Sequence, residues 1–251
     1  KYLARGSSNY MGDLMLGYAT IADYDEGTLM DLIINGPEAA KEPQAANISF
    51  ADMSEKMRQM QRGARSSEFL EILSEIPEFK SAKNLLDLGA GAGILGITAA
   101  ETKEDLSVVL FDTPQMGNAL KESIRQSKSS DRVQAMIGDY IQSDIGSGYD
   151  IIIAFNTLNA SKTVMAPLMK KLYDALNDGG VLITAGDGVN EDKTSPPDVM
   201  ASWLPYTLKG MDFGMPKQLI PDTAKKAGFS SVETFTVQAY MGTTDINVLR
   251  K

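Results

Sequence analysis

The chain has 251 residues, 43% of them hydrophobic and 23% charged, which is enough for a sizeable core in an ordinary globular protein. Its formal charge of −9, from 33 acids against 24 bases, excludes a broad basic face for nucleic acid or an anionic membrane. There is no cysteine and no histidine, which removes disulfides, thiolate metal sites, cysteine nucleophiles and the commonest general base.

The first 80 residues read as mostly helical. Residues 25–33 predict a helix that stops before Asn35-Gly36-Pro37, and residues 36–47 read as a loop. Residues 49–63 carry Phe50, Met53, Met57 and Met60 at helical spacing, and residues 68–76 repeat the pattern. No apolar run approaches the roughly 18–20 residues that span a bilayer. No signal peptide is visible, and the start at Lys1 rather than Met implies that an N-terminal portion is missing.

After Lys83 the pattern changes to alternating strands and helices. Strands are predicted at 84–88, 107–111, 132–137, 149–155 and 181–185, with helices at 94–102, 114–126 and 165–176 between them. The last of these helices is expected to end in a C-cap and turn at Asp178-Gly179-Gly180. A helix from Met215-Pro216 to Ala227, stopped by Gly228, precedes two final strands at 231–237 and 244–249. This order implies an α/β fold: a Rossmann-like, doubly wound, mainly parallel seven-stranded sheet with an antiparallel edge and an N-terminal helical segment.

Three strand ends carry chemistry. Asp87-Leu88-Gly89-Ala90-Gly91-Ala92-Gly93 joins a strand to a helix through a turn whose glycines let a ligand approach the backbone. Asp112, about twenty residues on, fits either recognition of ribose hydroxyls or a cap for the helix beyond Thr113-Pro114. Gly138-Asp139-Tyr140 fits either an adenine contact or a plain turn. Gly91-x-Gly93-x-x-Gly96 also keeps a dinucleotide-binding oxidoreductase open.

In order and spacing, LLDLGAGAGILGITAAE, VVLFDTPQM, IGDYI, YDIIIAFNTLN and ALNDGGVLIT resemble the successive motifs of class I S-adenosylmethionine (SAM) dependent methyltransferases. FDTPQM, FADMSEKMRQM and AKKAGFSSVETF resemble, more narrowly, the plant and bacterial small-molecule O-methyltransferases, the group that includes the caffeate, acetylserotonin and polyketide enzymes. The resemblance implies SAM as cofactor, with S-adenosylhomocysteine (SAH) as product, held by Asp87, Gly89, Gly91, Gly93, Asp112, Thr113, Gly138, Asp139, Tyr140 and Asn156. It implies a small-molecule acceptor and a homodimer in the full-length protein, while the acidic balance, the lack of cysteine and the lack of an acid cluster point to no nucleic-acid or membrane partner, a cytoplasmic location and no metal. Residues 1–80 would be the remnant of a dimerisation module that contributes to the acceptor pocket, and residues 81–251 the SAM-binding domain.

One position departs from the pattern. The resembled enzymes place a histidine shortly after the fourth strand to take the acceptor's proton; counting from Asp150, that position is Asn159, whose amide is nonbasic. Three readings follow: an acceptor that needs no strong base, a substitute among Asp187, Asp212, Tyr206 and Lys209, or a SAM-binding protein without methyl transfer. Asn159 itself fits either acceptor positioning or a helix cap. Met53, Met57, Met60, Met200, Met211 and Met215 are candidates for an apolar acceptor pocket, and Trp203 and Tyr206 for its cover, against the alternative of ordinary core and interface packing.

Overall fold

Short β-branched and leucine-rich runs after Lys83 form strands because each can bury both of its faces. In the computed structural model, which describes residues 26–36, 58, 61–208, 210, 212, 214–239 and 242–251, these runs make one seven-stranded sheet. Its strands are β1 (Asn84–Leu88), β2 (Ser107–Asp112), β3 (Val133–Ile137), β4 (Tyr149–Phe155), β5 (Leu176–Gly186), β6 (Ser231–Ala239) and β7 (Gly242–Arg250). The order is β3-β2-β1-β4-β5-β7-β6; β1 to β5 run parallel, and β7 lies antiparallel to both β5 and β6. The doubly wound, mainly parallel sheet expected from the sequence is borne out.

The helices are α1 (Glu26–Asn35), α2 (Ala64–Ser74), α3 (Ile94–Thr102), α4 (Gly117–Gln126), α5 (Met165–Ala175), α6 (Pro197–Thr207) and α7 (Leu219–Ala227). Strand periodicity divides the core in two. Leu85, Val108, Leu110, Ile151, Ile153, Val181 and Ile183 face one way, against Phe69 and Leu73 of α2, Leu95 and Ile97 of α3 and Leu120 of α4. Leu86, Leu88, Phe111, Ile152 and Leu182 face the other, against Leu168 and Leu172 of α5 and Ile220 and Ala224 of α7. Because β1 is flanked by β2 on one side and β4 on the other, the connections leave it in opposite directions. A crevice therefore opens at the carboxyl ends of β1 and β4.

Three local expectations change. The helix expected to end in a glycine turn stops at Ala175, and Leu176 enters β5 directly. Tyr149 pairs with Leu176 and Ile151 with Val181, so residues 177–180 bulge out of the ladder. Asn177 Nδ2 fixes the bulge by donating to Asp150 Oδ1 at 2.8 Å and to the Gly148 carbonyl at 3.1 Å. The helix expected from Met215 begins only at Leu219, because Val189 captures the preceding backbone: its N–H donates to the Met215 carbonyl, and its carbonyl accepts from Lys217 N–H, both at 2.9 Å. Helix α6 occupies the segment read above only as a candidate cover. The Met-rich helix expected at 49–63 lies mostly outside the described residues, as does the loop at 36–47 beyond Gly36.

Candidate functional site

β1 carries the chain into a loop that must turn sharply in a tightly packed place: residues 90–93 are buried and only Gly89 is partly exposed. Gly89, Gly91 and Gly93 adopt φ of +68°, +61° and +79°, the left-handed region that side chains disfavour. At Gly89 a Cβ would also lie 2.0 Å from Thr157 Oγ1, so the loop and the chain leaving β4 touch across the crevice. The loop's N–H groups find partners from several directions. Those of Gly89 and Ala90 donate to the Phe111 carbonyl at 2.8 and 3.0 Å, and that of Gly91 to Asp112 Oδ2 at 2.6 Å. Asp112 Oδ1 accepts from Thr113 N–H at 2.6 Å and from its hydroxyl at 3.2 Å. The Asp112 carboxylate thus lies against the glycine loop at the end of β2, only partly buried. The short 3-10 helix that follows starts from Thr113 without a side-chain cap.

Asp87 sits beneath this loop, 3% exposed, and Oδ2 accepts the Gly96 N–H at 3.0 Å. Burial pushes its carboxyl up from the ordinary 3.8 to about 7; the Gly96 bond opposes this, Asp112 adds repulsion and Arg65 offsets part of it. Between pH 3.8 and about 7 the folded chain keeps a proton that the unfolded chain has released. This contribution to stability is therefore largest at the acid end, falls as pH rises through that window, and is level above it. Asp87→Asn keeps an oxygen for Gly96 and removes the buried charge. Urea unfolding at pH 4.5 and pH 8 should show the variant more stable than the parent at pH 8 by roughly 2–4 kcal/mol, at about 1.4 kcal/mol per pKa unit. The two should converge at the lower pH, and equal pH slopes for both proteins would refute the account.

At the end of β3, Gly138 N–H donates to the Asp112 carbonyl at 3.0 Å, and a Cβ on Gly138 would lie 2.7 Å from Ser143 Oγ. Asp139 is exposed and closes a local turn, its Oδ1 accepting from Ile141 N–H at 2.9 Å. Tyr140 turns inward. Its hydroxyl donates to the Thr157 carbonyl at 3.0 Å and shares a hydrogen bond with Ser161 Oγ at 3.1 Å. Lys171 of α5 braces the same loop, donating to the Tyr140 carbonyl at 2.9 Å and to that of Ser143. Asn156, at φ +55°, turns the chain out of β4 and donates its N–H to the Ala185 carbonyl at 2.7 Å. Gly89 against Thr157, Gly91 on Asp112 and Gly138 on the Asp112 carbonyl thus bring the glycine loop, Asp112, Thr113 and Asn156 together at the carboxyl ends of β1, β2 and β4, with Asp139 at the β3 side.

Beyond β4 and β5 a second cluster forms. Asn159 lies in a 3-10 helix (Leu158–Val164), and its Nδ2 donates to Asp187 Oδ2 at 3.3 Å. Trp203 Nε1, from α6, donates to the same oxygen at 2.6 Å. Burial raises the Asp187 pKa above the usual aspartate range, the Trp203 and Asn159 bonds oppose this, and Asp198 adds repulsion. The carboxylate is therefore both held in place and more basic than an ordinary one. Asp212 differs: it is exposed and paired with Lys162 and Lys193, each 3.1 Å from Oδ2. Hydrogen bonding to Lys162 is the main reason its carboxyl sits below the usual range. Met215 is buried in the core beneath α7, and Met200 is half-buried. Met53, Met57, Met60, Lys209 and Met211 lie outside the described residues, as does the Tyr206 side chain.

Two features have no signal in the motifs. The Trp203 bond to Asp187 spans 16 residues, and Gln61, which grips the glycine loop, reads in the sequence only as a polar member of a Met-rich helix. An apolar cleft beside the crevice, lined by Phe69 and Ile72 of α2, Phe155 and Ala185 at the ends of β4 and β5, and Val237 and Ile246, is likewise assembled from scattered positions.

A family model described as lysine methyltransferase matches residues 43–194, more than half of the chain. The chain is 26% identical over 136 residues to the S-adenosyl-L-methionine-dependent methyl transferase PigF of a Serratia species, a match covering 53% of this chain and 39% of that protein. It is 34% identical over 114 residues to an uncharacterized protein of Methanocaldococcus jannaschii, covering 45% and 30%. The matched stretches thus span well under half of either relative. Among solved structures, a putative O-methyltransferase from Nostoc punctiforme superposes with a TM-score of 0.74 at 21% identity, covering 100% of this chain and 76% of that one. Human N-acetylserotonin methyltransferase in complex with SAM gives 0.71 at 19%, covering 100% and 73%. At these identities the structures establish the fold, and the family follows from the sequence match. The chain belongs to the lysine methyltransferase family of that model, within the class I SAM-dependent methyltransferases.

Proposed function

We propose that this chain binds SAM in the crevice between residues 89–93, Asp112 and Asn156, and transfers its methyl group to a small-molecule acceptor held near Asn159 and deprotonated by Asp187. The residues fit the cofactor: Gly89 and Asp112 are the partly exposed groups where the glycine loop meets the end of β2, and Asp112 presents a half-exposed carboxylate at a strand end, suited to two ribose hydroxyls. When bound, SAM supplies a sulfonium-activated methyl group that a nucleophile attacks in line, leaving SAH. The chain's own work is to aim the acceptor and take its proton.

The observation that carries this reading is the position and environment of Asp187. It stands at the end of β5 beside Asn159, which occupies the place where the resembled enzymes have histidine. Trp203 and Asn159 direct one oxygen, and the raised pKa gives the carboxylate the proton affinity that a base needs. An acceptor O–H or N–H would pass its proton to Asp187 as the new bond to the methyl carbon forms. Asp212, neutralised by two lysines, is left outside this role. The proposal includes a helical segment over residues 1–80 that helps form the acceptor pocket, a cofactor domain over 81–251, and a cytoplasmic homodimer for the full-length protein.

A second reading is favoured by the family description, which names lysine: the acceptor would be a lysine amine rather than a small-molecule hydroxyl. Mass spectrometry of a small-molecule panel and a lysine-peptide panel, each incubated with SAM, separates the two by which gains a methyl. The cofactor half is tested by calorimetry with SAH. The parent should bind, and Asp112→Ala should bind at least about thirtyfold more weakly, the loss expected for charge-assisted hydrogen bonds to two hydroxyls. A folded parent with no SAH affinity would end the reading.

A further inference from the structure

The first helical N–H of α3 faces a problem that the glycine loop creates. Helices ordinarily begin with a side-chain oxygen that caps their unpaired N–H groups. Here the N-cap is Gly93, in the left-handed region and without a side chain; a Cβ there would lie 2.6 Å from Leu110 Cδ1 and 2.9 Å from Leu120 Cδ2, so the loop's close packing on the core gives up the helix's own cap. The partner comes from 33 residues upstream: Gln61 Oε1 accepts the Ile94 N–H at 3.4 Å. The same amide donates from Nε2 to the Ala90 carbonyl at 3.1 Å. Only this orientation of the amide satisfies both contacts, since an N–H must meet an oxygen and a carbonyl must meet an N–H.

Gln61 is well placed to hold that grip. It is 8% exposed, and Ser66 Oγ donates to its carbonyl at 2.6 Å. Gly63, at φ +70°, then redirects the chain into α2, whose Phe69 and Leu73 are buried against the sheet. One side chain therefore spans the 89–93 loop from Ala90 to Ile94, anchored by a helix that belongs to the N-terminal segment.

We propose that Gln61 is a positioning residue for the cofactor loop, a remote cap that fixes the loop in its binding shape and ties cofactor affinity to the seating of the segment before α2. The inference rests on the reading of that loop as the SAM site. Two variants separate positioning from mere stability. Gln61→Met keeps the volume and loses both hydrogen bonds. Gln61→Glu keeps an acceptor for Ile94 N–H and adds a negative charge favourable to the start of a helix, but sets an oxygen against the Ala90 carbonyl.

SAH calorimetry and thermal melts on the full chain should show both variants binding about tenfold more weakly, equivalent to about 1.4 kcal/mol. Both affinities are taken at least about 15 °C below each variant's own Tm, where the chain is folded, because a carboxylate buried at position 61 against the Ala90 carbonyl lowers Tm as well. Affinities within twofold of the parent in both variants would overturn the inference. So would a loss confined to Gln61→Met that follows its Tm. A parent that melts cooperatively yet binds no SAH would remove the cofactor reading itself, a result distinct from either.

Discussion

Asp187→Asn is expected to lower methyl transfer by about 100- to 1,000-fold, the range for loss of a positioned general base, while SAH affinity stays within about twofold of the parent. The substitution is nearly isosteric, and the amide oxygen can still accept from Trp203 Nε1 and Asn159 Nδ2, which now meet at one oxygen of the carboxylate at 2.6 and 3.3 Å. What disappears is the proton affinity that burial gives this group. The pH profile carries the same signature: the parent rate should rise as Asp187 ionises, above the usual aspartate range, and the variant should lack that limb. Single-turnover transfer to an acceptor from the panels above is the measurement. An asparagine variant that works at the parent's rate would show that the acceptor arrives ionised or needs no base, and Asp187 would revert to a structural partner of Trp203.

Gly89→Ala should cost about 2–5 kcal/mol of stability and abolish measurable SAH binding. Two penalties add. An alanine held at φ +68° pays about 1–2 kcal/mol for the left-handed region, and its Cβ would stand 2.0 Å from Thr157 Oγ1 and 2.5 Å from Thr157 Cβ. Relief of that overlap requires the loop and the chain leaving β4 to separate, at a further cost of about 1–3 kcal/mol, and the crevice between them is the proposed cofactor site. Thr157→Gly removes the colliding atoms yet keeps the carbonyl that accepts from Tyr140. The double variant should therefore recover the steric part of the loss and retain the backbone part. Urea unfolding of the four proteins in this cycle gives both quantities. A single Gly89→Ala variant within about 1 kcal/mol of the parent would mean that the contact between the loop and Thr157 is not maintained in solution.

Much of the architecture is local in origin. The strands at 84–88 and 149–155 are visible because isoleucine and leucine crowd into short runs that can bury both faces, and they emerge as β1 and β4 at those bounds. The helix after the glycine loop is likewise recovered at Ile94–Thr102, since a glycine-rich turn and an apolar helix start leave little else to form. The glycines that could bend into the left-handed region and the acids at the ends of the first three strands are readable for the same reason: conformational freedom and charge belong to single residues and need no partner to be seen.

The sequence by itself therefore determined the seven-stranded order of elements, the glycine loop with Asp87, Asp112 and Asp139 beside it, and the absence of any histidine to act as base. Only the tertiary structure decided which groups meet. It turned Tyr140 toward Thr157 and Ser161, drew Asn159 and Trp203 onto Asp187 from 28 and 16 residues away, left Asp212 between two lysines, and brought Gln61 across 29 residues to the Ala90 carbonyl. It also converted Asp178-Gly179-Gly180 from an expected helix cap into part of a bulge. The reason is physical: these pairings are set by strand order, register and the direction in which each chain leaves the sheet, and none of those quantities is a property of neighbouring residues.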